Sequence, residues 1–146
     1  MNATYTRTAL ARAEFFLSLA EQCTPKQRAE FEAFIEASII FARATLHHLQ
    51  NNYKRHTSWK EWFESIKGDP AVEFFRQHRN VVLKESSPKA GQIISLNSIE
   101  TAAVLYYFED PTIPATVTIR RHLESYTKIL QKGEENFKTQ NPMTPK

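Results

Sequence analysis

The sequence predicts an all-α fold, a compact bundle of four to five helices in a single domain over residues 1–140, with a flexible tail at 141–146. Three observations predict it. Apolar residues recur every three or four positions through most of the chain. Helix start signals punctuate those runs: Thr24-Pro25, Ser58 and Asp69-Pro70. Only three glycines occur in 146 residues, while aromatic residues make up 12%, so long regular elements outweigh tight turns.

The first helix is predicted over residues 4–22, where Leu10, Ala13, Phe16, Leu17 and Ala20 keep helical spacing. Thr24-Pro25-Lys26-Gln27 then offers a threonine at the N-cap, a proline at N1 and a glutamine at N3, the pattern of a capping box. The second helix runs from there to about Tyr53. Its stripe is Phe31, Phe34, Ile35, Ile39, Ala42, Leu46, Leu49 and Tyr53. At 1.5 Å per residue it is on the order of 40 Å long.

A short third helix is expected after Ser58, with Glu61 placed for a second capping box and Trp59, Trp62, Phe63 and Ile66 as its apolar face. Gly68 suits a helix end, and Asp69 and Pro70 suit the next N-cap and N1, so a fourth helix is expected over 70–84. Residues 86–92 read as a loop. Between 92 and 108 a small β-hairpin is expected, because Val104, Tyr106 and Phe108 alternate with Leu105 and Tyr107; a helix from Ser98 is the other reading. Residues 109–114 form a turn. A last helix follows to about Phe137, carrying Val117, Leu123, Tyr126, Ile129 and Leu130.

Composition narrows the function classes. The net charge of +3 with a pI near 9.0 permits a polyanionic partner, although an ordinary basic surface would give the same balance. The single cysteine, Cys23, excludes an internal disulfide and reads as a lone structural or surface thiol. Glu14 interrupts the first apolar run and no small-residue cleavage site follows, so no signal peptide is expected. No stretch approaches the roughly 18 apolar residues of a membrane span. A cytoplasmic protein with no membrane partner is the expectation.

Two groups of side chains could carry chemistry. On the predicted fourth helix Val72, Phe75, Arg79 and Val82 share a stripe, with Asn80 beside it and Arg76 one turn back. An arginine on an apolar seam needs a carboxylate or an anionic ligand, and either a glutamate of a neighbouring helix or a phosphate would serve. On the second helix Arg43 and His47 stand one turn apart, next to the stripe, with His48 toward another face. Histidine carries protons near neutral pH, but it also sits on helix shoulders as a plain structural group. The five histidines and one cysteine show no zinc spacing, and phosphate-loop, dinucleotide-fold and hydrolase-elbow motifs are absent.

Residues 27–84 resemble the HEPN superfamily of helical bundles. The resemblance rests on the run FIEASIIFARATLHHLQ, the tryptophan-rich SWKEWFESI, and DPAVEFFRQHRNVVLK. Members with ribonuclease activity carry an arginine, usually a polar residue next to it, and a histidine separated from the arginine by a gap of four to six positions. Arg79 and Asn80 match the first two. Lys84, Glu85 and Ser86 occupy the places open to the histidine. The Arg43-to-His48 string has the same gap, but one accidental match is expected in a chain of this composition, and its place in the second helix is unlike the family's.

The resemblance implies metal-independent RNA cleavage for complete motifs. A lysine is protonated at neutral pH and is a poor base. The expectation is therefore a HEPN-like binding module that contacts RNA or a protein partner through the Arg43/Arg79 region. The alternative is a metal-independent endoribonuclease of toxin–antitoxin or phage-defence type. Arg79, Asn80 and Lys84 would form the catalytic set, and Arg43, His47 and Arg76 the binding set. The resemblance also implies a homodimer and an antitoxin-like protein partner, with no cofactor and no metal.

Overall fold

The computed structural model describes residues 3–24, 26–85 and 106–139. Among these the chain forms five helices and two very short strands: α1 (Ala3–Glu21), α2 (Arg28–Tyr53), α3 (Trp59–Ile66), α4 (Pro70–Gln77), β1 (Lys84–Glu85), β2 (Tyr106–Tyr107) and α5 (Ala115–Thr139). The predicted mainly helical fold is what forms.

Helices α1 and α2 pair antiparallel along most of their lengths. Phe16 stacks on Phe41 with ring centroids 5.7 Å apart, and the buried Ser38 hydroxyl donates to the Ala13 carbonyl at 2.8 Å. Helix α5 closes the bundle. Its Ile119, Leu123, Tyr126 and Leu130 meet Leu17 of α1, Phe31, Ile35, Ile39 and Leu49 of α2, and Phe75 of α4 in one apolar cluster. Each of these side chains is almost wholly removed from water, which supplies the main driving force for the fold. At one edge Arg120 of α5 forms ion pairs with Glu14 and Glu21 of α1, the latter at 2.8 Å.

The short α3 is held by aromatic packing. Trp59 and Trp62 both lie on Phe137, with centroids 5.6 and 5.2 Å away. Gly133 of α5 lies directly under the Trp62 indole, where a Cβ would collide with the ring. This glycine serves a close approach within a helix, although glycine is an unfavourable helix residue.

Several boundaries differ from expectation. Helix α2 starts at Arg28 with Gln27 as its cap, so Thr24 lies one loop earlier; the Gln27 side chain nevertheless accepts from the Thr24 amide at 2.9 Å. Ser58 precedes α3 without a side-chain cap bond; the helix ends at Ile66 with Lys67 as its C-cap, and Gly68 follows it, at the helix end as expected. Asp69 does cap α4, accepting from the Ala71 amide at 2.8 Å.

The largest difference is the length of α4, which stops at Gln77 rather than continuing to 84. Beyond it Val81, Val82 and Leu83 are not helical, and Lys84–Glu85 pair antiparallel with Tyr106–Tyr107. The helix has ended by His78, and Asn80 and two successive β-branched valines, weak helix formers, do not carry it further. The expected hairpin between 92 and 108 lies outside the described residues except for 106–108, and the partner of that segment is residues 84–85. The tail 141–146 also lies outside them. No helix among the described residues is long and apolar enough to cross a membrane.

Candidate functional site

A groove of about 360 Å³ lies where four helices meet. From α2, Arg43, Leu46, His47 and Gln50 line it, three or four residues apart and so on one flank of the helix. Phe63 of α3 and Lys67, just past its end, form a second wall, and Val72, Glu73 and Arg76 of α4 a third. Tyr126 of α5 closes the floor.

Floor and rim differ in character. Val72 and Tyr126 are buried, and Leu46 and Phe63 are half-buried. Around them stand three permanent cations, one imidazole, one amide and one carboxylate. Burial pushes the Tyr126 phenol well above its ordinary pKa; the Arg43 guanidinium opposes that rise.

The rim cations are held loosely. Arg76 donates to Glu73 through Nε at 3.1 Å and Nη2 at 2.5 Å, and Lys67 pairs with Glu64 at 3.0 Å. Both pairs are exposed and belong to the kind that contributes little to stability. The hydrogen bond between Arg76 and Glu73 holds the Glu73 carboxyl below the usual carboxylate range and lifts the Arg76 guanidinium above its own ordinary pKa. Arg43 is half-buried, and among the described residues no carboxylate pairs with it. A half-buried guanidinium of that kind can grip an oxyanion bidentately.

The sequence-predicted residues divide into two sets. Arg43, His47 and Arg76 come together around the groove. Arg79, Asn80 and Lys84 do not line it: Arg79 and Asn80 lie in the bend after α4, Lys84 lies in β1, and all three are exposed. Arg79 therefore does not emerge from an apolar seam, because the helix that would have put it there has ended, and Val82 of the supposed stripe is 59% exposed. Lys67 is a groove-lining residue that sequence reading misses. It follows the predicted third helix by one residue, so its periodicity with Phe63 was the available signal.

A second cavity, of about 340 Å³, opens on the other flank of α4. Phe74 stands between two imidazoles, with His78 and His122 stacked at centroid distances of 4.5 and 4.4 Å. The Nδ1 of His78 lies 3.1 Å from the Phe74 carbonyl and donates to it, since a carbonyl only accepts. Burial lowers both imidazole pKa values; Glu109 opposes this at His78 and Asp69 at His122, where His78 adds to the lowering. The remaining carboxylates at the cavity mouth are Glu73 and Asp110.

Cys23 is buried, and burial and the nearby Glu30 raise its thiol pKa, which suits a structural role. Among the described residues no group of three or more histidine, cysteine or carboxylate side chains is placed to hold a metal ion. No family model, curated protein or solved structure matches the chain.

Proposed function

We propose that the protein is a binding module and that the groove between α2, α3, α4 and α5 takes a segment of single-stranded RNA. The observation that carries this reading is the convergence of Arg43, Lys67 and Arg76, from three separate chain segments, around a floor of Leu46, Phe63, Val72 and Tyr126. Phosphate oxygens attract the rim cations, while a base covers the half-buried Phe63 and Leu46. The same surface would suit an acidic protein segment through its charge, but the aromatic floor favours a base. The HEPN resemblance points toward the same class of partner.

The endoribonuclease reading has weaker support. Its expected residues Arg79, Asn80 and Lys84 are exposed and stand outside the groove, so phosphate contact and proton transfer would have to occur at different places.

The test is fluorescence anisotropy with a short labelled single-stranded RNA in EDTA, across a salt series. Binding should weaken as salt rises, because each phosphate contact releases condensed counterions. Arg43→Glu combined with Arg76→Glu should weaken binding at least about tenfold, with the RNA recovered intact throughout. Equal affinity of this double variant and the wild type would overturn the reading.

A further inference from the structure

The cavity on the far flank of α4 also has the build of a ligand site, and its chemistry is the reverse of the groove's. Its volume of about 340 Å³ falls within the range of small-molecule pockets. Three rings stack along one wall, His78 on Phe74 on His122, with interplanar angles of 26° and 21°. Phe108 stands almost perpendicular to that stack, 5.0 Å from Phe74 and 4.9 Å from His78. The half-buried Ile113 adds an aliphatic side to this aromatic corner.

The polar part of the lining accepts more than it donates. No lysine or arginine stands among the described lining residues, and three of them are carboxylates: Glu73, Glu109 and Asp110. Glu73 already accepts from Arg76, and Asp110 from the Thr112 amide and hydroxyl. Glu109 is exposed, and among the described residues no cation pairs with it. Its charge lies close enough to act on the His78 ring. His78 commits the Nδ1 proton to the Phe74 carbonyl, so the nitrogen it has left for a ligand, Nε2, is an acceptor in the neutral ring.

These features select the ligand. An anion would meet three like charges, and among the described residues no group of three side chains is placed to hold a metal ion. A molecule with positively charged N–H donors and an apolar body suits both the acceptors and the aromatic corner. We propose that this cavity binds a small primary amine in its ammonium form. Its apolar body lies against Phe108 and Ile113, and its ammonium group sits between Glu109 and Nε2 of His78. The site is separated from the groove by α4, and nothing in it depends on RNA.

An amide-detected NMR titration of the full chain without RNA tests this, with phenethylamine as the probe and phenethyl alcohol as its uncharged counterpart. The amine should shift the signals of His78, Phe108, Glu109 and His122 saturably, with a dissociation constant below about 1 mM. The alcohol has the same ring and no charge, and should bind at least about tenfold more weakly. Glu109→Gln, at an exposed position, should keep the helical circular dichroism spectrum and weaken the amine about three- to tenfold, with the alcohol unchanged. No saturable shift at these residues, an alcohol that binds as well as the amine, or a Glu109→Gln variant with wild-type amine affinity overturns the proposal. So do shifts spread over surface carboxylates remote from the cavity, which would mark loose attraction to the surface. Failure of the groove reading leaves every one of these outcomes unchanged.

Discussion

The groove beside Arg43 and the cavity beside His78 lie on opposite flanks of α4 and share Glu73 as their common crest. They are similar in size and opposite in chemistry. On the groove side three permanent cations surround a partly aromatic floor, and their salt bridges are exposed and weak. On the cavity side two imidazoles are packed flat against a buried phenylalanine, with carboxylates around them. The first arrangement leaves charge open to solvent. The second suppresses charge, because burial favours the neutral rings, and it ties those rings into the fold. Two cavities of similar volume thus differ in what losing a lining ring should disturb: RNA binding on one flank, stability on the other.

The most direct way to break this contrast is to remove the aromatic ring at the centre of each site. Phe74 is 7% exposed and contacts His78, His122, Phe75 and Phe108 through its ring. Phe74→Ala should cost about 3–5 kcal/mol in urea unfolding, the usual range for emptying a buried phenylalanine site. Phe63, half-buried on the groove floor, should cost clearly less when changed to alanine, and its loss should show in RNA affinity as well. Equal destabilisation by the two variants would remove the distinction.

Acid should separate the flanks next. His78 and His122 both have folded-state pKa values below the ordinary 6.5. The unfolded chain therefore takes up protons at these rings before the folded chain does. Stability linked to them is fully present above about pH 6.5 and is lost as the pH falls below that value toward the depressed pKa values. The groups facing the pair, Asp69, Glu73, Glu109 and Asp110, are all carboxylates. Thermal melts between pH 7.5 and 5.5 should show a falling midpoint for the wild type and a smaller fall for His122→Gln. A midpoint as steep in the variant as in the wild type would detach the imidazole pair from the acid response.

How legible were these two sites beforehand? The helix stripes placed α1, α2 and α5 well, because long amphipathic runs have a strong period and most of their stripe residues end buried or half-buried; Val117 of α5, at 36% exposed, is the exception. Arg43 and His47 could be found because they interrupt such a run beside its apolar stripe. The fourth helix misled for a physical reason. Val81, Val82 and Leu83 keep its apolar pattern, but Asn80 and the two valines do not favour helix, and residues 84–85 find a strand partner more than twenty positions away. A pairing of that separation leaves no trace in a local period. His122 was invisible for a related reason: on α5 it is one polar residue among many, and only the packing of α5 on α4 places it against Phe74.

The smallest expected effect is also the sharpest for the groove. Arg76→Ala removes an exposed guanidinium whose ion pair with Glu73 lies within its own helix. Because that pair is solvent-screened, the unfolding midpoint should not move measurably. If Arg76 contacts phosphate, RNA affinity should nevertheless drop, and the slope of log affinity against log salt should become shallower by about one contact's worth, roughly 0.7 for a single strand. The equivalent measurement on Arg79→Ala, three residues further on and outside the groove, should leave the slope unchanged. If Arg79→Ala moved the slope and Arg76→Ala did not, the RNA would be running along the bend after α4, and the convergence of Arg43, Lys67 and Arg76 would have to be explained by something other than phosphate.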